Sequence, residues 1–217
     1  MNDDATHGTH WTHGTLWTAL RALPLSEVRR RAAVITEVTE IGPMTVDGAE
    51  RFAWNDSGGQ SAVWYFTADG RALLLTFDHE SPLNLYAEDD YALQRSLYDG
   101  VPEDLLRLVL DRPENYESLN LTDPRSGGTI HYAGGVFWFD GERWHIADGT
   151  RAHCAREKLD LFVESGFDYC LSDYLLDTPD FTPEAFAKYR AEDGYYEDEE
   201  EASAHLADLR EIFLRHP

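Results

Sequence analysis

Cysteine, lysine and methionine are nearly missing from these 217 residues, with two of each, and cations of any kind are scarce. Cys154 and Cys170 could form one disulfide at most. No N-terminal segment joins a basic start to an apolar run and a cleavage site, so the thiols are expected to be reduced and the chain cytoplasmic. No apolar stretch reaches the roughly 18 residues of a membrane span, because charge or glycine cuts each run. Lys plus Arg number 18 against 41 Asp plus Glu, a formal net charge of −23, and a surface of that sign repels duplex nucleic acid. Also missing are a Gly-x-Ser-x-Gly elbow, a phosphate-binding loop, a dinucleotide fingerprint and a Cys-x-x-Cys pair. No cofactor is therefore expected, and an enzyme is the less favoured class.

What is present describes an ordered chain. Hydrophobic residues make up 42% and aromatics 12%, including six Trp and eleven Tyr, which is far from the composition of a disordered polymer. One core can still grow at this length, so residues 15–217 are read as a single α+β domain with an acidic helical C-terminal part, behind a flexible tail at 1–14.

Leu16, Trp17, Leu20 and Leu23 recur at helical spacing up to Pro24, and a second helical run carries Val28, Ile35, Val38 and Ile41 to a stop at Gly42-Pro43. From Met44 the period becomes that of strands, with Asp47-Gly48, Asp69-Gly70 and Asp140-Gly141 as turns. Residues 62–67 and 71–77 then form a hairpin with Val63 and Tyr65 on one face and Trp64 and Phe66 on the other. Both faces are apolar, so helices are expected to cover it on both sides. Residues 82–99 read as an irregular connection, and Pro102 opens a short helix that Pro113 ends. Residues 129–132, 136–139 and 143–146 read as an antiparallel meander, followed by helices near 156–164, 169–176, 183–190 and 202–215. Helices, strands and helices in blocks, without regular alternation, give an α+β fold: a mainly antiparallel sheet of hairpins and a meander, packed by N-terminal and C-terminal helices.

Several residue groups carry possible chemistry. His7, His10 and His13 recur every third residue and could hold a transition metal, although a structural site asks for about four ligands. Asp78, His79 and Glu80 follow a strand end and would supply a general base with its orienting carboxylate if the protein were a hydrolase or transferase, with His145 as an added partner. Against this, Asp78 and His79 point to opposite sides of a strand, which favours a backbone-capping triplet. His131 and His145 would meet only on a curved sheet. Cys154 follows His153 near a helix start, where a thiol can be activated, but no nucleophile motif flanks it; Cys170 sits in an apolar run, and both are read as small core residues.

The largest departure from average lies at residues 160–201, where fourteen acids face only Lys188 and Arg190. Within it, Tyr195 and Tyr196 precede Glu197, Asp198, Glu199, Glu200 and Glu201, a composition suited to a basic protein partner. The alternative is a solvated loop whose acids favour the positive end of the next helix. The 133–141 hairpin (Ala-Gly-Gly-Val-Phe-Trp-Phe-Asp-Gly), the 97–102 turn (Leu-Tyr-Asp-Gly-Val-Pro) and the acidic helical end resemble bacterial immunity proteins found beside polymorphic toxins. The resemblance covers about residues 60–190 and carries over no site residue. It implies a small cytoplasmic inhibitor that occludes a basic toxin without chemistry of its own. The expected function is thus a non-catalytic acidic protein-binding module, with the Asp78-His79-Glu80 enzyme and an acidic protein lacking any dedicated site as alternatives.

Overall fold

The structure, a computed structural model, describes residues 14–85, 90–113 and 119–217. The histidines at 7, 10 and 13 lie outside the described residues, as does all of the 1–14 tail but Gly14. Two helices lead the fold, α1 (Thr15–Ala22) and α2 (Leu25–Val38). Four strands follow: β1 (Met44–Val46), β2 (Ala49–Asn55), β3 (Gln60–Phe66) and β4 (Ala72–Asp78). Each is antiparallel to the next, and the Asp-Gly turns read from the sequence sit where expected. Two short helices, α3 (Tyr91–Leu97) and α4 (Glu103–Leu106), precede β5 (Asn120–Thr122), β6 (Thr129–His131), β7 (Gly135–Phe139) and β8 (Trp144–Ile146).

The main sheet has the order β1-β2-β3-β4-β7-β8 and is antiparallel throughout, while β5 and β6 form a separate two-stranded sheet. The fold is α+β, as the block order of the sequence indicates. The meander, however, is β1 to β4, and the strand at 129–132 does not join the one at 136–139. Leu121 pairs with Ile130 instead, and the short link through Ala133-Gly134 carries the chain from one sheet to the other. Residues 82–99 also hold more order than their polar composition indicates, since the Asp90 carboxylate accepts from the Leu93 amide and starts α3.

The hairpin faces divide as their alternation requires. Trp64, Phe66, Leu74 and Phe137 join one core with Leu16, Leu20 and Ile35 of the N-terminal helices and Phe186, Leu209 and Phe213 of the C-terminal ones. Val63, Tyr65, Leu73 and Val136 join the other, closed by α3, α4 and the small sheet through Leu97, Leu105 and Ile130. The terminal helices therefore cover only one side, and the middle of the chain covers the other.

After β8 come α5 (Asp148–Glu157), α6 (Leu161–Glu164), α7 (Phe167–Cys170), a 3-10 turn Ser172–Tyr174, α8 (Pro183–Glu192) and α9 (Glu199–Arg215). The helix expected over 156–164 is broken, because Lys158 adopts a left-handed conformation at φ 59° and ends α5. Gly149 lets α5 lie directly on α3, since a Cβ there would stand 1.8 Å from the Ser96 carbonyl oxygen. Among the described residues no helix is long and apolar enough to cross a membrane.

Candidate functional site

Asp78, His79 and Glu80 sit at the end of β4, where the Asp78 side chain is spent on local hydrogen bonds and His79 and Glu80 are exposed. The Asp78 Oδ1 accepts from the Glu80 amide and from the Gln60 side-chain amide, both at 3.0 Å. His79 is exposed, its carbonyl accepts from Asn84 Nδ2, and its ring lies against Gly59, where a Cβ would come within 2.4 Å of Nδ1. A cavity of about 300 Å³ opens beside them, lined by Gly59, Gln60, Ser61 and Phe77 among others, and none of the triplet lines it. His145 is not brought near. It is level with Leu73 through Trp138, five residues from Asp78, or about 17 Å along the strand, and it faces the opposite core. There it stacks on Trp138 with ring centroids 4.1 Å apart and binds Asp140 at 2.6 Å. Two backbone amides and that imidazole hold the Asp140 carboxyl well below its usual range.

His131 is buried in the small sheet, away from His145, and burial with nearby Arg51 lowers its pKa to about 3. Both thiols are free and buried. Burial pushes Cys154 up to about 11 and Cys170 further still, so neither is an activated nucleophile. No group of three or more His, Cys, Asp or Glu side chains among the described residues could hold a metal ion.

The acidic segment has a defined local structure. Asp198 caps α9 by accepting from the Glu201 amide at 2.9 Å, and the Glu201 carboxylate accepts from the Glu197 amide at 2.7 Å. With Glu199, Glu200 and Glu201 in the first turn, four of the five acids stand at the helix start, and two of them, Asp198 and Glu201, bond backbone amides there. The two tyrosines also part company. Tyr196 is half-buried, with its hydroxyl 2.6 Å from His205 Nδ1, whereas Tyr195 is 55% exposed.

Behind Tyr195 stands a buried ion pair. Arg190 Nη2 lies 2.8 Å from Asp173 Oδ2, and the same oxygen accepts from Trp54 Nε1 at 2.9 Å. Asp173 is only 5% exposed, and burial raises its carboxyl above the usual range against the pull of Arg190 and Trp54. The Arg190 guanidinium lies 4.8 Å from the Tyr195 ring centroid and 5.3 Å from that of Phe186. The chain matches no family model, no curated protein and no solved structure.

Other elements hold this node in place. Arg31 of α2, itself buried, donates to the carbonyls of Tyr174, Leu175 and Thr178, which fixes the turn after Asp173, including Leu175 at a left-handed φ of 47°. Thr182 caps α8 and Phe186 anchors it in the core. On the far side, Trp54 lies 6.4 Å from the ring of Tyr169, which is 52% exposed and donates to Asp56 Oδ2 at 3.2 Å. Sequence reasoning singled out none of Trp54, Asp56, Tyr169 and Asp173. Arg190 carried the available signal, since a lone arginine among fourteen acids is a natural partner for one that is buried.

Proposed function

We propose that this chain is a non-catalytic cytoplasmic module that binds a basic protein through the surface around the α8–α9 connection. The observation that carries the reading is Tyr195, exposed and stacked on Arg190, two residues before a run of five acids. An exposed tyrosine backed by a fixed guanidinium supplies contact area at low entropic cost, and the surrounding carboxylates steer a cation towards it. The buried thiols and the turn-bound Asp78 support binding rather than chemistry. The likeness of the 133–141 hairpin and acidic end to immunity proteins makes a basic toxin the partner class we favour, with inhibition by occlusion.

Kinetics with a partner captured from the source cell test this. Replacing Glu197, Glu199 and Glu200 by Gln keeps the capping pair Asp198 and Glu201, and is expected to slow association several-fold. Tyr195→Ala is expected chiefly to speed dissociation. Rates unchanged by both sets, in variants shown to be folded, would remove this surface as the recognition site.

A further inference from the structure

Three neighbouring strands end in a short row of side chains that is only partly apolar. Asn55 of β2 pairs with Ser61 of β3, and Ser61 pairs with Phe77 of β4, so the three stand abreast on one face of the sheet. The same face carries Val63, Leu75 and Phe77 into the second core, and Leu119, just before β5, packs against that core. Asn55, Ser61, Phe77 and Leu119 border the cavity of about 300 Å³ beside the β4 end. Ser61 is 4% exposed, yet its hydroxyl has no hydrogen-bond partner among the described residues. The Asn55 Nδ2 has none either, since only Oδ1 of that amide is engaged, by the Ser57 N–H at 3.2 Å. A buried hydroxyl without a partner is destabilising and uncommon in folded proteins, and this one borders open space. We infer that the cavity takes one neutral hexose ring, a function separate from the recognition of a basic protein.

The lining decides the class of ligand. Among the described residues, no charged side chain borders the cavity. The carboxylates beside it are occupied: Asp56 accepts from the Gly58 and Gln60 amides and from Tyr169, and Asp78 accepts from Gln60 and the Glu80 amide. An anion finds no counter-charge there, in a chain of net charge −23, and a cation finds no open carboxylate. An entirely apolar ligand would leave the Ser61 hydroxyl unpaired. What remains is an amide donor, a hydroxyl that both donates and accepts, and the apolar surface of Phe77 and Leu119. A sugar ring offers the matching parts, hydroxyls at its edge and a C–H face, and a single ring suits a volume at the small end of ligand pockets.

Nuclear magnetic resonance titration of the full chain with D-glucose, D-galactose and D-mannose, against D-glucuronate, tests the site. The expected result is saturable shifts at the Asn55 side-chain amide and the Ser61 and Phe77 backbone amides with at least one hexose, at a millimolar Kd. Glucuronate should bind about tenfold more weakly, because its charge meets no partner. Ser61→Ala should weaken the bound hexose about fivefold or more while leaving the unliganded chain at least as stable, since it removes only the unpartnered hydroxyl. Asn55→Asp keeps the acceptor used by the Ser57 N–H and removes the donor, so it should weaken binding by a similar factor in a folded chain. The methyl glycoside of the bound hexose separates the two sources: it matches the free sugar if the site takes a glycan end, and fails to replace it if the site takes the free sugar. No saturable shift with any of the three hexoses would overturn the inference and leave the cavity to water. Glucuronate bound as tightly, or hexose binding unchanged in Ser61→Ala, would overturn it as well.

Discussion

Arg190 joins stability to recognition, because one guanidinium compensates buried Asp173 and supports the exposed ring of Tyr195. Removing one partner of a buried pair strands the other charge. Arg190→Ala is therefore expected to cost on the order of 3 kcal/mol in denaturant unfolding at neutral pH. The deficit should shrink on acidification. Asp173 already has its carboxyl raised by burial and would rise further without Arg190, so it protonates readily in the folded variant and ceases to be a stranded charge. A deficit below about 1 kcal/mol at pH 7 would show that the pair is not the support described here. His131 gives the opposite pH response. Its folded pKa of about 3 lies below the ordinary 6.5, so between those values the unfolded chain takes up a proton that the folded chain refuses. Its contribution is fully present above pH 6.5 and is lost as pH falls through that window. His131→Gln should flatten that part of the stability profile, and an unchanged slope would mean that His131 is not held neutral.

At the scale of the element, the start of α9 separates Asp198 and Glu201, which bond backbone amides, from Glu197, Glu199 and Glu200. Asp198→Ala is expected to cost about 1 kcal/mol by thermal or chemical unfolding, whereas Glu200→Gln should change stability by less than about half of that. Equal losses would mean that the cap is not formed. The same segment shows what could be read in advance. The period of two over 62–67, bounded by Asp69-Gly70, fixed the central hairpin and the opposite facing of Trp64 and Tyr65, because alternation and turn chemistry are local. The pairing of β7 with β4 instead of β6 was not legible, because strand partners are settled by long-range burial: Val136 and Leu75 pair on adjacent strands although 61 residues separate them in the chain. The acidic Tyr-rich stretch was visible as composition. That Tyr195 is the more exposed while the Tyr196 hydroxyl bonds His205 was not, since both residues have the same sequence surroundings.

At the scale of the whole molecule, the six-stranded sheet carries an apolar core on each face, and the chain has a formal net charge of −23. Ion pairs such as Arg29–Glu50 and Arg30–Glu27 neutralise part of it near α2, while residues 160–201 keep a large excess of acid. A uniform acidic shell would serve solubility, but a focused excess next to exposed aromatic rings serves encounter. The most direct test of the account is the association rate between this chain and its captured basic partner as salt is raised from roughly 0.05 to 0.5 M, where the screening length falls to a few ångströms. The account predicts a fall in association of about tenfold or more, with dissociation nearly constant. An association rate that is flat across that range would contradict it.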